Sequence, residues 1–234
     1  MNKNKVIKWL NLQKRTNKIK VLKKNVYNLE NWNFDSNEIK HKSGKFFQVI
    51  GINVITNFFK KNWDQPIIVQ NENGILGVLR KKNKNVIRYL LQAKAEPGNI
   101  NKIQVSPTVQ ATQSNYKRVH GGHKTKFLNY FTNKKFFMKS KQTEQGFRYL
   151  YKYNTNIVVN IKKNINIPKN YYWFSKTDLI YLIRKKNIIN MDTISVFSCL
   201  ISKKKIDQPL FKKAYIEKFY KKNTQISLIR QIKI

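Results

Sequence analysis

Residues 92–122, QAKAEPGNINKIQVSPTVQATQSNYKRVHGG, gather the side chains best suited to holding a polar ligand. Gln104, Ser106, Thr108, Gln110, Thr112 and Ser114 alternate, so an extended backbone aligns them as one row of neutral donors and acceptors ending at Tyr116, Arg118 and His120. Such a row suits a hydroxyl-rich, phosphate-bearing ligand, and an ordinary polar edge strand carries the same pattern. Pro97 and Gly98 set a tight turn ahead of it. The segment holds three of the chain's four alanines, two of its five prolines and three of its eight glycines, with few lysines. Elsewhere the chain is heavy in Lys, Asn, Ile, Tyr and Phe, residues with A/T-rich codons. Where a drifting sequence has not drifted, geometry and side-chain chemistry are constrained.

The same contrast reinterprets the charge. The 234 residues carry 48 Lys+Arg against 11 Asp+Glu, a formal net charge of +37, which points first to nucleic acid because cations on phosphates release counterions. Lysine supplies most of that charge and is spread in short runs such as Lys60, Lys61 and Lys203, Lys204, Lys205, the pattern of solvated faces. With no RNP-like or zinc-finger pattern, nucleic-acid binding is the weakest reading. One cysteine, Cys199, excludes an internal disulfide framework, and His41, His120 and His123 make no tetrahedral zinc set. A reduced, cytoplasmic compartment is expected. The start lacks the apolar stretch of a signal peptide and no run of about 18 apolar residues occurs, so a soluble, unanchored protein is expected.

The elements that must position the polar row follow from periodicity. Residues 1–25 read as a basic N-terminal arm, mobile or a short helix. Phe46–Ile55, Gly74–Leu79 and Val86–Leu91 read as strands, with Asn71–Asn73 and Lys81–Asn85 as hairpin connections. Phe147, Tyr149, Tyr151 and Tyr153 alternate as in a strand, paired with Ile157–Ile161. Ser175 and Asp178 form a capping-box pattern before Leu179, Leu182 and Ile183, and Asn190 or Asp192 caps a helix carrying Ile194, Phe197 and Leu200. A last helix is expected from Pro209 toward Tyr220. Strands first and helices later give an α+β domain.

Several motifs, in order, are similar to those of the NDP-hexose 2,3-dehydratases: NWNF at 31–34, HKSGKFFQVIGINV at 41–54, WDQPII at 63–68, NGILGVL at 73–79, QAKAEPGN at 92–99, QVSPTVQATQSNY at 104–116, the His120–Gly122 turn, QTEQGFRYLYKYNTN at 142–156 and WFSKTDLIYLIRKKNIINMDTISVFSCL at 173–200. The resemblance covers roughly residues 26–202, and it implies one module over 26–222 with a tail at 223–234. It implies a Nudix-like fold, a mixed β-sheet flanked by helices, without the glutamate-rich Nudix helix. The chain departs at Thr143, where Ser is usual, and at Thr155, where Arg is usual; it also holds one module where family members commonly hold two in tandem.

What the resemblance implies chemically is loss of water across C2 and C3 of a nucleotide-linked 4-keto-6-deoxyhexose. A base takes the C3 proton, an acid helps the 2-hydroxyl leave, and the enol relaxes to a 3,4-diketone, with no metal or redox cofactor required. Glu96 and Glu144, both in matched motifs, are the expected acid/base pair, with His120 or Tyr116 as further acids or bases. Each carboxylate could equally be bound to backbone N–H groups at a turn. Arg118 and Arg148 are the expected pyrophosphate partners because Arg forks onto phosphate bidentately. Trp63 or Trp32 is the candidate stacking surface for the base, and Gln110, Thr112, Ser114 and Asn115 the substrate-binding row. The implied partners are a dTDP-4-keto-6-deoxyhexose, a second copy of the chain as a homodimer, and a 3-ketoreductase that consumes the diketone. A non-catalytic nucleotide-sugar-binding module is the alternative.

Overall fold

β-Branched and aromatic runs separated by Asn-, Gly- and Lys-rich turns form two mixed sheets in the computed structural model, which describes residues 3–57, 61–116, 124–132 and 135–202. In the first sheet β1 (Trp32–Phe34), β2 (Glu38–His41), β3 (Gln48–Val54) and β4 (Trp63–Val69) run antiparallel in order, and β10 (Tyr149–Leu150) adds parallel to β4. The second sheet is built on β5 (Gly74–Asn83) and β6 (Val86–Ala95), joined through Lys84, which adopts the left-handed φ of 47° that a two-residue hairpin loop requires. β11 (Tyr153–Asn160) lies parallel to β5, β9 (Met138–Thr143) antiparallel to β11, and β12 (Tyr171–Ser175) antiparallel to β6. The α+β class holds; the expected single sheet is two.

The chain passes from the first sheet to the second twice, side by side. Asn71–Asn73 is the first crossing, from β4 to β5, and not the expected hairpin. The second is at Tyr151 and Lys152, between β10 and β11. There the alternation of Phe147, Tyr149, Tyr151 and Tyr153 is interrupted: Tyr151 has φ 51° and is exposed, so the run divides between two sheets instead of forming one strand. Side chains tie the crossings together. Asn73 Nδ2 donates to the Tyr153 hydroxyl at 2.7 Å, and the buried Lys152 ammonium donates to the Glu72 carbonyl.

The polar row of 104–114 is not an edge strand. β7 (Ile103–Pro107) and β8 (Val109–Ala111) wedge into the fork where β5 and β6 diverge, β7 pairing with β6 and β8 with β5. Thr108 sits fully buried in the crotch, where its hydroxyl accepts from the Leu79 amide at 3.0 Å and donates to the Leu90 carbonyl. One side chain thereby supplies the hydrogen bonds that the two separating backbones can no longer give each other.

One face of the second sheet is covered by helices. α1 (Lys3–Thr16), α4 (Lys176–Ile183) and α5 (Met191–Ser202) bring Val6, Leu10, Leu179, Leu182, Val196 and Leu200 against Leu76, Val78, Leu91 and Val158. The segment 1–25 thus contributes a helix whose Val6 and Leu10 are buried in that core. On the opposite face Phe131, from α3 (Asn129–Thr132), packs with Leu79, Leu90, Val159 and Tyr171. α4 opens with the expected capping box: the Ser175 hydroxyl accepts from the Asp178 amide and Asp178 accepts from the Ser175 amide. α5 is capped by Asn190, whose Oδ1 accepts the Thr193 amide at 2.9 Å, leaving Asp192 free of capping duty. No helix among the described residues is long and apolar enough to cross a membrane. The expected helix after Pro209 and the 223–234 tail lie outside the described residues.

Candidate active site

Where the two sheets meet, one end of the second sheet opens into a cavity of about 260 Å3. Strand direction explains its lining. The parallel β5 and β11 begin here, contributing Gly74, Leu76 and Asn154, while the antiparallel β6, β8 and β9 end here, delivering Lys94, Glu96, Gln110, Ala111 and Glu144. Gln70 and Lys152 come from the crossings, Tyr149 from β10, Thr112 and Asn115 from the start of α2 (Gln113–Tyr116), and Asp192 from the first turn of α5. In a chain with 11 carboxylates, three of them line this one cavity, with two lysines and a phenol.

Two hydrogen-bonded chains fix these groups. In one, Asn190 Nδ2 donates to Ser106 Oγ at 3.0 Å and to Gln110 Oε1 at 2.9 Å. That orients the Gln110 amide so its Nε2 donates to Glu96 Oε1 at 2.9 Å, and the Lys94 ammonium donates to the same oxygen at 2.9 Å. The cap of α5 is thereby wired to the carboxylate of Glu96. In the other chain, the Gly74 amide donates to Asn154 Oδ1 at 3.2 Å, so Asn154 Nδ2 is presented to the Glu144 carboxylate. Glu72, beside the cavity, accepts from the Ser114 amide at 3.0 Å and hydroxyl at 2.7 Å, anchoring the start of α2.

The electrostatics follow from this crowding. Burial, reinforced by the negative charges of Glu144 and Glu96 and opposed by Lys94, pushes the Asp192 carboxyl up to about 6. Burial pulls Lys152 below the ordinary lysine range, against the upward pull of Glu144 and Glu72. Burial and then the Glu144 and Asp192 carboxylates raise the Tyr149 phenol, so it stays a proton donor at neutral pH. For Glu72 burial works upward, but donation from Ser114 and Thr112 and the charge of Lys152 outweigh it, and its carboxyl falls below the usual range. The arrangement therefore offers a carboxylate that titrates near neutral pH, a phenolic acid and a buried cation around a space of sugar-ring size. Among the described residues no group of three or more His, Cys, Asp or Glu side chains has metal-holding geometry.

Of the residues expected from sequence, Glu96, Glu144, Gln110, Thr112 and Asn115 line the cavity together. Ser114 is buried behind them, bound to Glu72. Arg148 is exposed just before β10, outside the lining, though its charge acts on Tyr149. Trp63 lies at the start of β4 in the other sheet, where its Nε1 donates to Gln65 Oε1 at 2.8 Å, and it does not line the cavity. Trp32 lies on β1 of the same sheet, against His41, Phe46 and Phe47. Tyr116 ends α2, and Arg118 and His120 fall outside the described residues. Sequence reasoning did not select Asp192, Tyr149, Lys94 and Lys152. Their signals were present: Asp192 is one of few acids, and Lys94 is the single lysine of QAKAEPGN.

Comparison with known proteins agrees with the motifs. Residues 3–200 match the family model described as NDP-hexose 2,3-dehydratase. A dTDP-4-dehydro-6-deoxy-alpha-D-glucopyranose 2,3-dehydratase of Saccharopolyspora spinosa is 40% identical over 178 residues, 74% of this chain and 37% of the relative. Proteins of the same name from Streptomyces violaceoruber and Amycolatopsis orientalis are 36% identical over 203 residues and 37% identical over 183, covering 82% and 74% of this chain and 45% and 39% of their own lengths. The chain thus spans less than half the length of these relatives. With a family model matched over most of the chain and relatives at this identity, the chain belongs to the NDP-hexose 2,3-dehydratase family.

Proposed function

We propose that this chain removes water across C2 and C3 of a dTDP-linked 4-keto-6-deoxyhexose, using the cavity at the sheet junction. The observation that carries the reading is the gathering of Glu96, Glu144, Asp192, Tyr149 and Lys152 in a space of about 260 Å3 in a chain of this family. The C4 ketone acidifies the C3–H bond. Asp192, whose carboxyl is pushed up to about 6, takes that proton while the bonding pair forms the C3–C4 enolate. Lys152, a cation held in the lining, stabilises the enolate oxygen. The enolate reforms the ketone as the C2–O bond breaks, the 2-hydroxyl leaves as water with a proton from Tyr149, and the C3 proton held by Asp192 then returns to the Tyr149 phenolate, restoring both groups. Glu96, fixed by Lys94 and Gln110, binds a sugar hydroxyl. The resulting enol takes a proton from water at C2 and releases its C3 hydroxyl proton to water, giving the 3,4-diketone. His120 and Tyr116 remain candidate acids or bases, and Arg118 a candidate pyrophosphate partner.

The wider setting belongs to the same proposal. The second sheet with its helical cover is a Nudix-like module, supported by its mixed strand order and the parallel β5–β11 pair. Two copies associate as a homodimer, and the protein works in the cytoplasm beside a 3-ketoreductase that consumes the unstable diketone. Incubating the chain with dTDP-4-keto-6-deoxyglucose in deuterated water should give a diketone trappable by an aromatic diamine, with deuterium incorporated at C2. Folded protein that binds the nucleotide sugar without forming the diketone would overturn the activity and favour the binding-module reading.

Gly74 offers a test through positioning. A Cβ at Gly74 would come within 2.5 Å of Asn154 Oδ1, the atom that orients the amide toward Glu144. Gly74→Ala should therefore lower kcat about ten- to a hundredfold by displacing Glu144, with KM for the nucleotide sugar little changed. An unchanged kcat would remove Glu144 from the reaction.

A further inference from the structure

The cavity that holds the reacting groups is too small for a whole nucleotide sugar, and the molecule has a larger space directly beside it. A groove of about 920 Å3 runs between the segment that follows α1 and the turn joining β6 to β7. Glu96 lines both the groove and the smaller cavity, so the two share a wall. The smaller volume lies just under the roughly 300–1,000 Å3 range of sites for ligands of drug size, whereas the groove lies near its upper end.

The groove has the chemistry of a nucleoside diphosphate site. Lys14, Lys18 and Lys20 line one side and Lys102 the other; the one acid in the lining, Glu96, is already paired with Lys94. Val21, Leu22 and Ile100 also line it, and they are 60%, 71% and 78% exposed, an apolar surface with no other use in this chain's described core. Both walls are built. Gln13, 3% exposed, donates to the Lys169 carbonyl at 3.0 Å and fixes the end of α1. Opposite, the turn is closed by Asn99 and Lys102 amides donating to the Glu96 and Asn99 carbonyls at 3.1 and 2.9 Å, with Lys102 itself at φ 61°.

From this geometry we infer that the nucleoside diphosphate of the substrate lies in the groove, its pyrophosphate on Lys18, Lys20 and Lys102 and its base on Val21, Leu22 and Ile100, so that the sugar passes Glu96 into the smaller cavity. The inference rests on the dehydratase reading for the sugar end only. It moves the phosphate contacts from the arginines that sequence reasoning favoured to lysines of the basic N-terminal segment, a role for part of the +37 charge.

The test is dTDP binding by calorimetry to the full chain. Wild type should bind dTDP, and Lys18→Gln/Lys20→Gln/Lys102→Gln should bind roughly tenfold to a hundredfold more weakly. Lys82→Gln/Lys84→Gln/Lys163→Gln, which removes the same charge from exposed sites outside the groove, should bind as wild type does. Ile100→Asp should weaken binding without touching the lysines. Equal weakening by both triple variants, no weakening by the groove variant, or no dTDP binding by wild type would each overturn the inference. Groove-dependent dTDP binding without diketone formation would leave it standing while the dehydratase reading fell. Dehydration with an unchanged KM in the groove variant would do the reverse.

Discussion

Asp192→Asn should lower the dehydration rate roughly a hundredfold to ten-thousandfold while making the protein more stable at neutral pH. The first half follows from the proposed role of the carboxylate as the base at C3, since an amide cannot take a proton there. The wild-type rate should rise with pH through about 6 and level off as Asp192 ionises; the variant's residual rate should lack that limb. The second half follows from linkage. The folded pKa of about 6 lies above the ordinary Asp value of 3.8, so between those values the folded state binds more protons than the unfolded one. Stability from this group is complete below about pH 4 and is lost as pH rises through about 6. Two pKa units correspond to at most about 3 kcal/mol, reduced to about 1–2 by partial solvent access. Removing the charge should therefore raise Tm at pH 8 by roughly 2–6 °C and leave it unchanged at pH 4. A variant that loses activity and stability together would make Asp192 a structural residue.

Thr108→Val should cost about 2–4 kcal/mol, the largest stability loss expected from one isosteric change in the second sheet. Valine fills the same volume, so packing is conserved, but the Leu79 amide and the Leu90 carbonyl lose their shared partner inside a fully buried fork. Thr108→Ser keeps the hydroxyl and should cost no more than about 1 kcal/mol for the missing methyl. Thermal or urea unfolding of the two variants separates the effects. If valine costs no more than serine, the hydroxyl does not hold the fork.

Local signals in the chain were accurate within a few residues. The pairing of Ser175 with Asp178 specified the start of α4, the β-branched runs specified β3, β5 and β6, and the compositional break at 92–122 marked the strands that wall the cavity. Glu96 and Glu144 were reachable because acids are so few that each could be weighed. What failed was what depends on the destination of the chain. Asn71–Asn73 looks like a hairpin turn and joins two sheets, and the polar row at 104–114, read either as one ligand-facing row or as an edge strand, fills a fork in which Ser106 and Thr108 are buried.

By itself, then, the sequence determined the family motifs, the helix caps, the strand periodicities and the shortlist of acids, because each depends on residue type and on neighbours within a turn or a strand. Only the tertiary structure decided which of those groups meet. The break at Tyr151 sends Tyr149 to one sheet and Asn154 to the other, and their return to a common cavity sets Glu144 between them. Asp192 is an ordinary first-turn acid in sequence; it becomes a group titrating near pH 6 because desolvation and the Coulomb fields of Glu144 and Glu96 depend on distance through space.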